Sequence, residues 1–302
     1  MRPTLLLSLL LLVSCAGHRD SAFSTRPPGL DVADVALANG APETALHIAQ
    51  QALAVKPHDV PALVRVAQAQ AALGQRDQAS RSFSQALGIA PNDAAATLGL
   101  GRLELATDPA AAASLLLRLT TRNPHNVAAL IDLGIAKDLL SQHGEAQHAY
   151  RLALALDPES IAGQVNLGLS LALSGDPQQA LRILRPLARG PGASARMRQD
   201  LAVALSLGGD DDGAASVLGA DLARPEVVAA VAGYHLLRPV LCGPAARRAF
   251  RRRGTGGGPR LRVWAGHGGA ASGACAEAAS RMLIQEDDVV AGTGFEPVTF
   301  RL

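Results

Sequence analysis

Histidine and aspartate are the residues of this chain whose spacing could support metal binding or proton exchange. His143 and His148 are five residues apart, which places them on different faces of a helix, and no carboxylate pair accompanies them. Asp210, Asp211 and Asp212 are consecutive, so they lack the alternating spacing of a calcium-binding loop. No nucleophile, base and orienting group can be assembled either. We therefore predict no metal site, no cofactor and no enzymatic activity, with these side chains at the surface.

The last part of the chain, residues 239–302, contains incomplete versions of other reactive motifs. Five arginines between Arg247 and Arg253 could contact phosphates, but a charge run in a disordered tail is the simpler interpretation, and we predict no nucleic-acid partner. The glycine run at 254–258 lacks the Gly-Lys-Ser/Thr ending of a phosphate-binding loop. Cys242 and Cys275 could form a disulfide in an oxidising compartment, which their spacing does not decide.

The same region differs in composition from the rest of the chain. Residues 241–302 hold nine arginines against five acidic residues and show no repeat phase. The last eleven residues resemble peptides made when a transfer-RNA gene is translated by mistake. Two interpretations stay open: a frameshift near Pro239, or a genuine disordered extension.

The amino terminus has the pattern of an export signal. One charge, Arg2, precedes an apolar run at residues 5–13, which is too short to span a bilayer. The run ends in Leu-Val-Ser followed by Cys15, which resembles the lipobox of bacterial lipoproteins. This resemblance implies cleavage before Cys15 and lipidation of that cysteine, and Ala16 after it favours the outer membrane. An ordinary signal peptide with an incidental cysteine is the alternative.

The chain between these ends repeats. Pro57, Pro91, Pro124 and Pro158 are separated by 34, 33 and 34 residues, and an apolar helical pattern follows each one. Residues 127–158 show the unit in full, with two apolar helical stretches, small residues at Gly134, Ala146 and Ala153, and a break at His143-Gly144.

This unit resembles the tetratricopeptide repeat, whose pattern is W-x2-L-G-x2-Y, then A-x3-F, then P. Leu133-Gly134, Ala146-x3-Tyr150 and Pro158 match it, whereas Leu130 replaces the tryptophan and Lys137 the tyrosine. Small residues are needed where two helices cross closely, so Ala79 and Ala146 should be buried. Six units can be phased, at about 31–57, 60–91, 94–124, 127–158, 161–189 and 195–228.

Residues 166–210 resemble a more specific family, the TadD-like lipoproteins that assist assembly of tight-adherence (Flp) pili. The resemblance lies in the phrase LARGPGAS followed by RMRQDLA, and residues 220–238 resemble the closing segment of that family. It implies a lipid-anchored scaffold on the periplasmic face of the outer membrane. Its partner would be a pilus secretin or another pilus assembly component.

A superhelix of such repeats presents the first helix of each unit on its concave side. The positions that phasing assigns to a peptide-binding groove are Leu98, Arg102, Ile131, Ile135, Leu139, Val165, Asn166, Leu169 and Leu173. Such an apolar groove suits an amphipathic helix or an apolar strand of a partner. The alternative is that these residues pack on a neighbouring helix of the same chain.

The predicted fold is therefore an all-α, right-handed superhelical solenoid of tetratricopeptide repeats with a disordered C-terminal tail. We assign residues 1–14 to the signal peptide, 15–30 to a tether, 31–238 to the repeat array and 239–302 to the low-complexity tail. The predicted function is a protein-interaction scaffold for a tight-adherence pilus. The alternative is a general lipoprotein adaptor for envelope biogenesis or another secretion system.

Overall fold

The computed structural model describes residues 29–241, and all the regular secondary structure in this range is helical. The helices are α1 (Leu30–Ala38), α2 (Pro42–Val55), α3 (Val60–Ala72), α4 (Arg76–Ile89), α5 (Ala94–Glu104), α6 (Pro109–Arg122), α7 (Val127–Leu139), α8 (His143–Leu156), α9 (Ile161–Leu173), α10 (Pro177–Arg189), α11 (Ala195–Leu207), α12 (Asp211–Leu218) and α13 (Arg224–Leu241).

Consecutive helices pair into six hairpins, from α1–α2 to α11–α12, and each first helix also contacts the first helix of the next unit. The last helix, α13, packs on α11 and α12, where the first helix of a seventh unit would lie. The sixth unit was predicted to extend to about Val228, but it ends earlier because a new helix begins at Arg224. This arrangement confirms the predicted all-α solenoid. The predicted signal peptide, Cys15, most of the tether and nearly all of the tail lie outside the described residues.

Each unit after the first begins in the same way. The side chain before the first helix accepts a hydrogen bond from the backbone N–H three residues later, which satisfies one of the free donors of a helix start. The donor–acceptor distances run from 2.7 to 3.3 Å. The capping residues are Asp59, Asp93, Asn126, Ser160 and Ser194.

The turn inside each hairpin often needs a residue with positive φ, and glycine usually supplies it. The fourth unit departs from this, because Ser141 adopts φ 58°. The predicted break at His143-Gly144 was therefore wrong by about two residues: α8 begins at His143, and Gly144 lies in its first turn.

Small residues stand where the paired helices approach most closely, as predicted. Ala79 and Ala146 are fully buried. A Cβ atom at Gly134 of α7 would overlap the ring of Tyr150 from α8, so glycine is required for this aromatic side chain to fill the space. One apolar core runs continuously from α5 to α13. Three smaller apolar clusters lie among the first five helices.

None of the helices within residues 29–241 combines the length and apolar character that a membrane crossing requires.

Candidate protein-binding surfaces

The nine residues predicted to line a concave groove lie on α5, α7 and α9, but the structure buries most of them. Seven are apolar and belong to the continuous core: Leu98, Ile131, Ile135, Leu139, Val165, Leu169 and Leu173. Their packing matches the alternative in which they contact neighbouring helices. The prediction that these seven side chains line an open groove was therefore wrong, because they are packed in the core. Peptide binding by this side of the array stays a prediction.

The two polar members of the set make hydrogen bonds within the array. Arg102 Nε donates to Asp132 Oδ2 of α7 over 2.6 Å, and the Asp132 side chain has no solvent exposure. Burial raises the pKa of Asp132 above its ordinary value, although Arg102 opposes the shift. Asn166 Nδ2 donates to the backbone oxygen of Ala162 over 3.0 Å. These contacts join or stabilise first helices rather than present donors to a ligand.

A second ion pair of the same kind joins the first two units. Arg65 of α3 donates from Nε to Asp34 Oδ1 over 2.6 Å, and from a terminal nitrogen to Oδ2 over 3.1 Å. Both pairs therefore connect the first helices of consecutive units and help to set how one unit stacks on the next.

A buried polar network joins three helices at the centre of the array. The Asp138 carboxylate of α7 accepts hydrogen bonds from Tyr150 Oη at 2.9 Å and from Ser170 Oγ at 2.7 Å. His143 Nδ1 lies 2.7 Å from the same carboxylate. Burial raises the pKa of Asp138, although its three partners oppose the shift. Burial and the neighbouring Asp138 hold the pKa of Tyr150 well above its ordinary value.

Sequence reasoning missed this network and placed His143 at the surface. The only sequence signal was a tyrosine where the repeat pattern has phenylalanine, since a buried hydroxyl needs a partner. The network does not form a catalytic triad. The Ser170 hydroxyl donates to Asp138 rather than to His143, so the serine–histidine–aspartate order of a triad is not formed. Within residues 29–241, no group of three histidine, cysteine or acidic side chains gathers as metal ligands would.

A half-open cleft of about 610 Å³ lies between α6 and α8, with α7 as its floor. We call it the α6–α8 cleft. Its walls carry three leucines that remain exposed: Leu117, Leu152 and Leu156. Lys137 and Glu145 form an ion pair of 2.8 Å at one edge. The cleft thus combines an apolar lining with a charged edge, as protein-binding pockets often do.

The residues that form the floor are smaller than those of the repeat pattern. Leu130 and Lys137 both line the cleft, and they occupy the positions where the repeat pattern has tryptophan and tyrosine. Two large aromatic rings would fill much of the volume between neighbouring second helices. A branched aliphatic residue and a lysine fill less of it, so the leucines of α6 and α8 face an open space.

Comparison with known proteins supports the fold. Residues 36–103 match the tetratricopeptide repeat family. The solved structure of PilW, a widely conserved type IV pilus biogenesis factor, aligns with 63% of this chain and 88% of its own, at 20% identity and a TM-score of 0.58. A thermophilic TPR protein of Thermus thermophilus aligns with 59% of this chain and 97% of its own, at 22% identity and a TM-score of 0.50.

MamA from Desulfovibrio magneticus RS-1 aligns with 51% of this chain and 88% of its own, at 26% identity and a TM-score of 0.46. No curated protein sequence matches the chain. The likenesses to PilW and to the Thermus protein show a shared tetratricopeptide-repeat fold.

Proposed function

We propose that this tetratricopeptide-repeat solenoid is a lipid-anchored scaffold that assists assembly of a tight-adherence pilus. In this proposal the lipidated Cys15 holds the array at the periplasmic face of the outer membrane. The array binds a pilus secretin or another component of the pilus machinery. The coarser role, that of a protein-interaction scaffold, follows from the repeat fold itself.

The α6–α8 cleft is the observation that carries the proposal. Leu117, Leu152 and Leu156 expose apolar surface around a concave space, and clustered exposed apolar residues mark protein-binding sites. The pilus role is supported by the resemblance of residues 166–210 to the tight-adherence lipoproteins. The shared fold with PilW, itself a type IV pilus biogenesis factor, is compatible with that role.

The alternative function is a general lipoprotein adaptor for envelope biogenesis or another secretion system. It requires the same anchor and the same kind of cleft, and it differs only in the bound protein. The identity of that protein therefore separates the two functions.

The test is chemical cross-linking in intact envelopes, followed by affinity purification of the full-length protein and mass spectrometry. Leu152→Asp places a carboxylate in the cleft at a residue that is 44% exposed, so the fold should tolerate it. Ile89→Asp is the matched control, because Ile89 is 43% exposed and lies outside the cleft.

We expect a pilus secretin or another pilus component to be captured by the wild-type protein and by Ile89→Asp, but not by Leu152→Asp. Unchanged capture by Leu152→Asp would refute the cleft as the binding site. Capture of envelope proteins unrelated to a pilus would favour the adaptor function. Separately, Cys15→Ser should remove the protein from the outer-membrane fraction, and continued association with the outer membrane would contradict the lipid anchor.

A further inference from the structure

Helix α8 forms the longer wall of the α6–α8 cleft and lines it over most of its length. The lining positions recur every three or four residues and span about 17 Å, or about three helical turns. This spacing is typical of the stripe along which one helix packs against another. The positions that form the stripe are Glu145, His148, Ala149, Leu152, Ala155 and Leu156.

Large and small side chains alternate in this stripe. Leu152 and Leu156 are 44% and 41% exposed, and Ala149 and Ala155 leave space beside them. On the opposite wall, Leu117 of α6 is 52% exposed. Side chains of a packing helix insert between ridges of this kind. An extended strand fits less well, because both walls are helices whose backbone groups are already hydrogen-bonded and offer no edge for strand pairing.

The second helices of the third, fourth and fifth units form a strongly basic surface around the cleft. Their only acidic residue is Glu145, and its Oε2 atom lies 2.8 Å from Lys137 Nζ in an ion pair. Other second helices differ, since α2 has no lysine or arginine and α12 has two aspartates. The arginines of α6, α8 and α10 are all exposed: Arg118, Arg122, Arg151, Arg182, Arg185 and Arg189.

Two of these arginines border the cleft, one on each wall. Arg118 precedes Thr121 by three residues, and Thr121 lines the cleft. Arg151 follows His148, which also lines it, by three residues. Residues three apart are neighbours on a helix surface. Arg151 Nη2 donates to Gln147 Oε1 over 3.4 Å, and neither arginine forms an ion pair with another described residue.

The acidic side chains of the two hairpins lie away from this border. Asp132 and Asp138 of α7 are buried, the first paired with Arg102 and the second held by the polar network. Glu104 and Asp108 accept hydrogen bonds at the α5–α6 turn, whereas α6 lines the cleft only from Leu117 onward.

The acidic residues that follow α8 belong to the next boundary of the array. Asp157 and Glu159 lie in the connection from α8 to α9. The equivalent connection from α6 to α7 contributes Pro124 and His125 to the α6–α8 cleft. By the repeat, Asp157 and Glu159 therefore lie between α8 and α10. The cleft thus has an apolar stripe with unneutralised positive charge on both walls.

We propose that the α6–α8 cleft binds an amphipathic α-helix whose apolar stripe is flanked on both sides by aspartate or glutamate. The apolar stripe packs on Leu117, Leu152 and Leu156, and the flanking carboxylates face Arg118 and Arg151. This inference rests on the proposed function, in which the cleft is the protein-binding site, and it adds the chemistry of the bound segment. It does not depend on whether that segment belongs to a pilus.

Two other occupants fit this surface less well. An anionic membrane would be attracted by the arginines, but Leu117, Leu152 and Leu156 line a concave space that a bilayer surface does not enter. A second copy bound through the same face would bring the arginines of two copies together, which is unfavourable.

The test uses two synthetic peptides and the full-length protein purified in detergent, with protein-free micelles as the blank. Both peptides form the same helix with a leucine–alanine stripe, and the flanking positions carry glutamate in one and lysine in the other. Fluorescence anisotropy measures both dissociation constants at low and high salt. Hydrogen exchange with and without peptide locates the binding site.

We expect the glutamate peptide to bind, the lysine peptide to bind far more weakly, and α6 and α8 to gain protection from exchange. The preference should decrease at high salt, because salt screens exposed charges. Arg118→Glu/Arg151→Glu should weaken binding of the glutamate peptide about tenfold and strengthen binding of the lysine peptide by a similar factor.

The matched control is Arg81→Glu/Arg224→Glu, which changes the net charge equally at exposed positions of α4 and α13, outside the cleft. It should bind both peptides like the wild type. Leu152→Asp should abolish binding of the glutamate peptide, because it removes apolar contact and adds a repelling carboxylate.

Four results would overturn the proposal. The first is equal or stronger binding of the lysine peptide, or a preference that Arg118→Glu/Arg151→Glu leaves unchanged. The second is a full-length protein that binds neither peptide. The third is protection of α6 and α8 in phosphatidylglycerol vesicles but not in phosphatidylcholine vesicles, which would make an anionic membrane the occupant. The fourth is a dimer in analytical ultracentrifugation that Leu152→Asp dissociates, which would make a second copy the occupant.

A failure of this inference differs from a failure of the proposed function. If Leu152→Asp loses its envelope partners but both peptides bind equally, the cleft binds protein and the inferred charge of the bound helix is wrong. If Leu152→Asp keeps its envelope partners but loses the glutamate peptide, the cleft has the inferred chemistry and the proposed function is wrong.

Discussion

The first and fourth units carry apolar residues at the same two repeat positions, but the surroundings of these residues differ. Leu133 and Ala136 are buried, whereas Val32 and Val35 are more than half exposed. The difference comes from the neighbour: α6 precedes α7, and within the described residues no helix precedes α1. In a repeat array, the effect of a substitution should therefore depend on what packs against the position more than on the residue itself.

The largest expected effect is at an interior crossing point. Ala146→Glu would place a carboxylate where α8 has no exposed surface, and an unpaired buried charge costs roughly 3–5 kcal/mol of unfolding free energy. Urea denaturation followed by circular dichroism would measure it. Glu145→Ala, at the exposed neighbouring position, is the control and should change the unfolding free energy by less than about 1 kcal/mol. Near-wild-type stability of Ala146→Glu would show that the interior of this unit admits water.

The next largest effect is a pH dependence of stability that comes from a carboxyl group buried in the array. Asp200 of α11 is fully buried, with Arg196 Nε 3.3 Å from its Oδ1 atom, and burial raises its pKa to about 6. The folded protein therefore holds this proton more tightly than the unfolded chain does. Protonated Asp200 therefore stabilises the folded state. This contribution to the free energy of unfolding is fully present below about pH 4 and is lost as pH rises through about 6, and it amounts to about 3 kcal/mol.

The measurement for Asp200 is the free energy of unfolding of the wild type and of Asp200→Asn between pH 4 and pH 7.5. Asparagine cannot ionise, so the difference between the two proteins should grow in favour of Asp200→Asn as pH rises. A difference that stays constant over this range would mean that Asp200 titrates normally and that water reaches it.

A smaller effect tests close packing within one hairpin. Gly134→Ala would force the Tyr150 ring to move, and overpacking of this kind typically costs about 1–3 kcal/mol. Gly144→Ala is the matched control, because a Cβ there meets no neighbouring atom and alanine favours a helix by roughly 0.5–1 kcal/mol. The two substitutions should therefore change thermal stability in opposite directions. Stabilisation by both would indicate that the helices do not cross closely at Gly134.

These features differ in how far the sequence predicts them. The burial of Ala79 and Ala146 follows from the repeat phase, since small residues are needed where helices cross. The Asp138 network was not predictable, because its members meet across three helices and only the tyrosine at position 150 gives a signal. Phasing placed Ile135 and Leu169 on the first helices but could not show that neighbouring helices cover them. Exposure at the end of an array is equally hidden, since Val32 and Val35 have the same apolar character as their buried equivalents.

The smallest expected effect is on the stability of the first unit. Val32→Ser and Val35→Ser remove apolar side chains that already face water, so each should change the unfolding free energy by less than about 0.5 kcal/mol. Leu133→Ala, at the interior equivalent of Val32, should cost roughly 2–5 kcal/mol because it leaves a cavity. Parallel urea titrations would measure both. If the valine variants were as destabilised as Leu133→Ala, another part of the molecule would have to cover α1.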